Sequence, residues 1–175
     1  MKQMKLKTEP VSAGQALQML KENGILINRY AEEYFAHPQF SAGHAEEMTV
    51  TIASLQEIGF ENGATLDEIF QRIPEAGLKP CPAHTGLFLR LVWKDQPQSG
   101  NSVLSGTHSS PDQAVTVLSG IMEQNDAFPK GLYLRNVGGN LWLRGYICDS
   151  AYRFPGDALF AFETCEEGPG GSGSF

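Results

Sequence analysis

Residues 130–146, KGLYLRNVGGNLWLRGY, constrain this chain more than any other stretch. Two runs alternate in character on either side of Gly138-Gly139. A diglycine suits a two-residue type I′ or II′ bend, whose twist matches that of the flanking strands. If those two residues form the loop, Val137 faces Asn140, Arg135 faces Trp142, Leu134 faces Leu143, and Tyr133 faces Arg144. One side of the ribbon is then Leu132, Leu134, Leu141 and Leu143. The other is Tyr133, Arg135, Trp142, Arg144 and Tyr146. A one-residue slip would set leucines against Trp142 and Arg144, so the hydrophobic pattern itself pins the register. Burying the four leucines contributes roughly 6–12 kcal/mol before chain entropy is counted.

The second side has a different logic. Arg135 over Trp142 and Tyr133 beside Arg144 form cross-strand cation–π pairs, each about 0.5–1 kcal/mol when exposed. The run LFLRLVW reads as another strand from Leu87 to Trp93, which places Arg90 near Arg135 and Arg144 if it joins the same sheet. Arg153 follows in the loop after the hairpin, close in sequence to Asp149. Such a patch suits a carboxylate, a phosphate or an acidic peptide. The plainer reading is a solvated ladder whose arginines pair with Asp149, Asp157 or Glu163, or a face covered by the N-terminal helices.

The rest of the chain supplies further elements. Residues 1–11 read as a frayed leader. Ser12 with Gln15 and Thr65 with Glu68 are capping-box pairs, in which each side chain satisfies the other residue's backbone N–H. They open helices that run to Gly24 and over 66–76, the second interrupted by Pro74. Asn28 caps a third helix that ends before Pro38, followed by a polar loop, QFSAGHAEE. Residues 48–54 alternate and are β-branched, as a strand should be. SVLSGT is a weak strand. AVTVLSGIM reads as a strand, although Ser110-Pro111 could start a helix. ALFAFE is the last strand, and EEGPGGSGSF reads as a disordered tail.

Composition limits function. Twenty acidic against thirteen basic side chains give a net charge of −7, which repels nucleic acid unless the basic residues cluster. No stretch of 18 apolar residues exists, so no membrane span is expected. The N-terminus has basic residues but no apolar core, so it does not read as a secretory signal, and a cytoplasmic location is expected. Cys81, Cys148 and Cys165 form no disulfide framework or zinc pattern. His37, His44, His84 and His108 never recur at helical spacing, so no metal or cofactor is expected. Cys148 would need a base such as His84 or His108 to act as a nucleophile. Asp149, Asp157 and Glu163, beside Trp142, Tyr146, Tyr152 and Phe154, form the one cluster that suits sugar binding or hydrolysis. No catalytic residue is assigned.

Three segments, IGFENGATLDEIFQR, LFLRLVWKDQP and LYLRNVGGNLWLRGY, resemble parts of a family of small uncharacterised bacterial proteins. That family pairs a GF-x-x-GAT-x-x-EI opening with an Arg-containing strand ending in DQP and a later LWL-x-GY strand. The resemblance covers about residues 50–163 and implies a bacterial, self-contained domain; it carries no activity. QSGNSVLSGTHSSPDQ departs from the shorter family pattern.

The expected architecture is α+β: a mostly antiparallel twisted sheet of five to six strands, with the Thr65 helix on its leucine face. Residues 1–45 form a helical N-terminal arm, 46–165 the α+β domain and 166–175 the tail. The expected role is a non-enzymatic binding or accessory module acting through protein contacts, with a protein partner or small acidic ligand. A small enzyme or ligand-binding protein using the loop at 148–157, with glycans among its ligands, is the alternative. Tyr30, Tyr34 and Phe35 are free to dock on this domain or on a second copy, which leaves a homodimer open.

Overall fold

The computed structural model describes residues 1–100 and 112–166. The weak strand read at 102–107, the Ser110-Pro111 helix start, His108 and residues 167–175 of the tail lie outside the described residues.

The ribbon forms in the expected register. β6 (Gly131–Val137) and β7 (Asn140–Tyr146) pair antiparallel, with Arg135 opposite Trp142, Leu134 opposite Leu143 and Tyr133 opposite Arg144. Gly138 and Gly139 have φ of 59° and 87°. Both are left-handed, as a type I′ bend requires, and glycine adopts them without a Cβ penalty.

The other described strands are β1 (Lys2–Thr8), β2 (Leu26–Ile27), β3 (Glu46–Ser54), β4 (Leu78–Lys79), β5 (Val115–Val117) and β8 (Leu159–Thr164). They build one eight-stranded mixed sheet in the order β1-β3-β8-β5-β6-β7-β2, with β4 paired to β8. Pairings β5–β8 and β2–β7 are parallel; the rest are antiparallel. The class is therefore α+β, but the sheet is larger and more mixed than the expected five to six antiparallel strands.

Helices α1 (Ala13–Glu22), α2 (Arg29–Ala36), α3 (Pro38–Ser41) and α5 (Thr85–Val92) accompany α4 (Leu66–Arg72). Both capping boxes form. Ser12 Oγ accepts from Gln15 N at 3.1 Å and Gln15 returns the bond to Ser12 N at 2.8 Å. Thr65 and Glu68 do the same at 3.3 and 3.1 Å. Pro74 converts the end of the Thr65 helix into a 3-10 turn over Ile73–Ala76, because its ring cannot continue the α ladder.

Four expectations are corrected. The run at 87–93 is not a strand: it is α5, and Thr85 through Arg90 are all buried. A short run rich in leucine, phenylalanine and valine cannot be told from a buried strand by periodicity alone. The frayed leader is β1, with Met4, Leu6 and Thr8 turned toward the core and the lysines outward, so the N-terminal arm begins as a sheet strand. The polar loop after Pro38 holds α3, with Pro38 at a helix N-terminus, where its missing N–H is not needed, and Phe40 fully buried. The Thr65 helix does not pack on the leucine face. Leu132, Leu134 and Leu143 share a core with residues of α1, α2 and α5. Ile69 and Ile73 belong to a second core with Leu55, Phe154, Phe160 and Phe162, on the opposite side of β8.

Tyr34 and Phe35, read as docking residues, are buried in the first core of their own domain. α2 reaches β7 through a close approach. A Cβ at Gly145 would lie 2.5 Å from the backbone carbon of Tyr30. The Asn28 side-chain amide accepts from Gly145 N at 2.9 Å and donates to Gly145 O at 3.0 Å, pairing with β7 as a strand backbone would. Thus the glycine of the LWL-x-GY segment has a packing reason.

Candidate binding face

The ribbon's alternation divides the candidate residues between two sides of the sheet. Tyr133, Arg135, Trp142, Arg144 and Tyr146 share one face, as their register requires. Arg90 is on the other, because α5 packs against the leucines.

Arg144 is the centre of the shared face. Its guanidinium carbon lies 4.9 Å from the Trp142 ring centroid and 6.0 Å from that of Tyr133. Its Nε donates to the Tyr133 hydroxyl at 2.7 Å. Trp142 and Arg144 are both half-buried. Among the described residues no carboxylate lies within ion-pair distance of Arg144. A guanidinium held flat by a ring and one hydroxyl keeps its outer N–H groups for a planar acceptor. The expected pairing is thus shifted by one step: Arg144, not Arg135, lies over Trp142.

Arg135 has a different environment. It is 1% exposed, and its Nε and Nη2 donate to Ser99 Oγ at 3.2 and 3.0 Å. Ser99 also donates to Asp112 O at 2.7 Å, while Gly100 N donates to Asp112 Oδ2 at 2.8 Å. Arg135 therefore ties Ser99, and through it Asp112, to β6.

An aromatic row continues the face away from Arg144. Tyr133 and Tyr146 have centroids 6.5 Å apart; Tyr146 meets Phe154 edge-on at 6.2 Å; Phe154 meets Tyr152 at 4.8 Å and Phe160 at 5.0 Å. Tyr146 is enclosed here, and burial holds its hydroxyl well above the ordinary titration range. The row joins the face to the second core, so only its Trp142–Arg144–Tyr133 end is available for contact.

Arg90 is wholly buried at the end of α5. Its Nη1 donates to Gln96 Oε1 at 2.5 Å and, at 3.5 Å each, to the carbonyls of Arg135 and Trp142; Nη2 donates to the carbonyl of Trp93. Burial lowers its pKa to about 10. Gln96 completes the network by donating to Gln113 O and Leu134 O, while Asn136 donates to Gln96 O at 2.8 Å. Sequence reading missed Gln96, since a helix end and six residues separate it from Arg90 and no periodicity links them.

Arg153 does not join a positive patch. It donates to Glu68 Oε1 at 2.9 Å and to Gly63 O at 3.1 Å, which ties the loop to the start of α4. Asp149 is exposed and accepts from Ala151 N at 2.9 Å, a local turn bond. None of Asp149, Asp157 and Glu163 ion-pairs with Arg135 or Arg144 among the described residues. Glu163 lies on the helical side of β8, opposite Val50, and pairs with Lys79 at 3.4 Å. It thus turns away from the loop aromatics.

The cysteines are free. Cys148 lines a cleft of about 200 Å³ together with Asp67, Asp126, Lys130 and Asp149, and no histidine among the described residues lines it. Burial pushes its thiol up to about 11 despite Lys130, so it is protonated at neutral pH and weakly nucleophilic. Lys130 itself donates to Glu123 O and Asn125 O at 2.7 and 2.8 Å. Burial also raises the Cys81 thiol. His84 is 2% exposed, with Nε2 lacking a hydrogen-bond partner, and burial lowers its pKa. No group of three or more His, Cys, Asp or Glu side chains among the described residues is placed to hold a metal ion. No described helix is long and apolar enough to cross a membrane.

The fold and the face define an α+β protein with a mixed eight-stranded sheet that presents an aromatic-held arginine. No protein-family model, curated protein or solved structure matches the chain.

Proposed function

We propose that the chain is a non-enzymatic binding module whose Trp142–Arg144–Tyr133 end docks an acidic side chain of a protein partner or a small acidic ligand. One observation carries this reading: Arg144 is immobilised by two aromatic rings and a hydroxyl, with no carboxylate beside it among the described residues. An exposed arginine in a folded domain usually spends its charge on a neighbouring acid or on water. Here its planar fork is oriented in advance, so less side-chain entropy is lost when a carboxylate or phosphate binds. Trp, Tyr and Arg are also the residues that most often dominate interface energies. The net charge of −7 adds a general repulsion of acidic partners, so recognition at this spot is short-ranged and local.

The test uses blocked hexapeptides bearing two glutamates, with glutamine counterparts as controls. Trp142 fluorescence is followed in a Trp93→Phe background. The glutamate peptides change the signal and the glutamine peptides do not. Arg144→Ala weakens binding about tenfold or more. Equal binding of both peptide types, or binding unaffected by Arg144→Ala, overturns the proposal. A response to inorganic phosphate alone assigns the face to a small anion.

A further inference from the structure

The sheet ends differently at its two edges. β2 is two residues long, too short to template another strand. β1 is seven residues long and pairs through all of them with β3, from Lys2 opposite Ile52 to Thr8 opposite Glu46. Among the described residues no strand pairs with the other edge of β1. Its register is continuous, without a bulge, and the first proline follows at Pro10. It is a regular edge roughly 23 Å long with a row of backbone donors and acceptors facing outward.

Charge decides what such an edge accepts. Lys2, Lys5 and Lys7 are all exposed, a concentration of positive charge in a chain of net charge −7. Lys5 and Lys7 lie on the same sheet face, opposite Thr49 and Glu47. Beside them is a cleft of about 310 Å³ whose lining includes Glu47 and Glu166. Lys7 reaches Glu47 at 3.4 Å, but both side chains are largely exposed, so a closer acid can displace the pair. A second copy paired along the whole strand is disfavoured. Antiparallel pairing of β1 with itself over all of Lys2–Thr8 is centred on Lys5 and sets lysine directly against lysine, which destabilises a sheet. A segment with acids at alternate positions sets carboxylates against both lysines instead.

We infer that the outer edge of β1 binds an extended acidic segment of another protein, which adds to the sheet as a further strand. Main-chain hydrogen bonds supply the affinity, and the Lys5–Lys7 pair selects acids at alternate positions. The inference stands apart from the Arg144 reading, because β1 and β7 lie toward opposite ends of the sheet order.

The probe is the blocked peptide Thr-Glu-Val-Glu-Val-Glu-Thr, added to the full chain and followed by amide hydrogen exchange. It slows exchange at outward-facing amides of residues 2–8. Lys5→Glu/Lys7→Glu weakens binding about tenfold and gains binding of the lysine version of the peptide. The milder Lys5→Gln/Lys7→Gln weakens it less, and an unchanged melting temperature shows that each variant folds. N-methylation of the peptide at alternate residues abolishes binding, which separates strand addition from simple charge attraction. Three results overturn the inference: binding that survives the charge reversal, protection confined to residues 140–146, and self-association through β1 in place of peptide capture. Protection confined to 140–146 leaves the Arg144 proposal standing. Conversely, β1 protection that persists in Arg144→Ala supports the edge site alone.

Discussion

Arg90 and Arg144 each follow a leucine, in Leu89-Arg90 and Leu143-Arg144, yet they do opposite things. Arg90 lies under the helical side of the sheet, where Nη1 and Nη2 donate to Gln96 and backbone carbonyls while Nε is buried without a partner. Arg144 lies on the far side, stacked on Trp142 and bonded to Tyr133, with its outer N–H groups uncommitted to any carboxylate among the described residues. The first holds a helix end to a hairpin; the second is held by rings and a hydroxyl and keeps donors that no carboxylate among the described residues takes. An arginine's role follows from which acceptors surround it, not from the pattern it sits in. Arg135 makes the same point between the two. It shares Arg144's face, yet it is buried and bound to Ser99.

The sharpest break in this comparison is Arg90→Ala. It removes the donor from several buried acceptors and leaves a void, so a loss of about 4 kcal/mol in urea unfolding is expected. A loss below about 1 kcal/mol would make Arg90 dispensable and erase the contrast. Next comes Gly145→Ala, one residue from Arg144. The new methyl meets the backbone of Tyr30 and Ala31, so destabilisation of about 3 kcal/mol is expected in the same assay.

The helical side also carries an acid-side pH dependence through His84. Burial depresses the pKa of His84 below its ordinary value, while Glu46 opposes the shift and His44 adds to it. Below about pH 6.5 the unfolded chain takes up this proton before the folded one does. Stability therefore falls with pH from there to the folded pKa, by no more than about 1.4 kcal/mol per pH unit. His84→Phe, which keeps a ring against Phe88, flattens that limb, as chemical unfolding at pH 7.5 and 5.5 would show. Among the alanine substitutions the smallest expected effect is that of Arg144→Ala on stability. It removes two ring contacts at a half-buried site and one hydrogen bond, about 1–2 kcal/mol, and thermal melting reads it directly.

Much of the hairpin side was legible in the chain. Gly138-Gly139 set the register, and the leucine and arginine–aromatic alternation then followed with no alternative consistent with burial. Both capping boxes were legible because Ser12–Gln15 and Thr65–Glu68 satisfy backbone groups at fixed local spacing. What sequence did not reveal is tertiary in origin. α5 is eight residues long and buried from Thr85 through Arg90, and a run that short and apolar reads equally well as a strand. β1 was hidden by its lysines, which are out of place in a core but suit an edge strand. The two-residue β2 and its parallel pairing with β7 leave no local signal. In the binding face, Arg135 and Arg144 were indistinguishable in sequence. The residue that separates them, Ser99, lies 36 positions away from Arg135.

The most direct test of the claim that Arg144 serves an external acid is a double-mutant cycle. It pairs Arg144→Gln with replacement of one peptide glutamate by glutamine, with binding measured for all four combinations. A coupling energy of about 1–2 kcal/mol is expected, with all chains melting within a few degrees of the parent. A coupling near zero, or an Arg144→Gln variant destabilised as much as Arg90→Ala, would contradict it and place both arginines among the fold's internal supports.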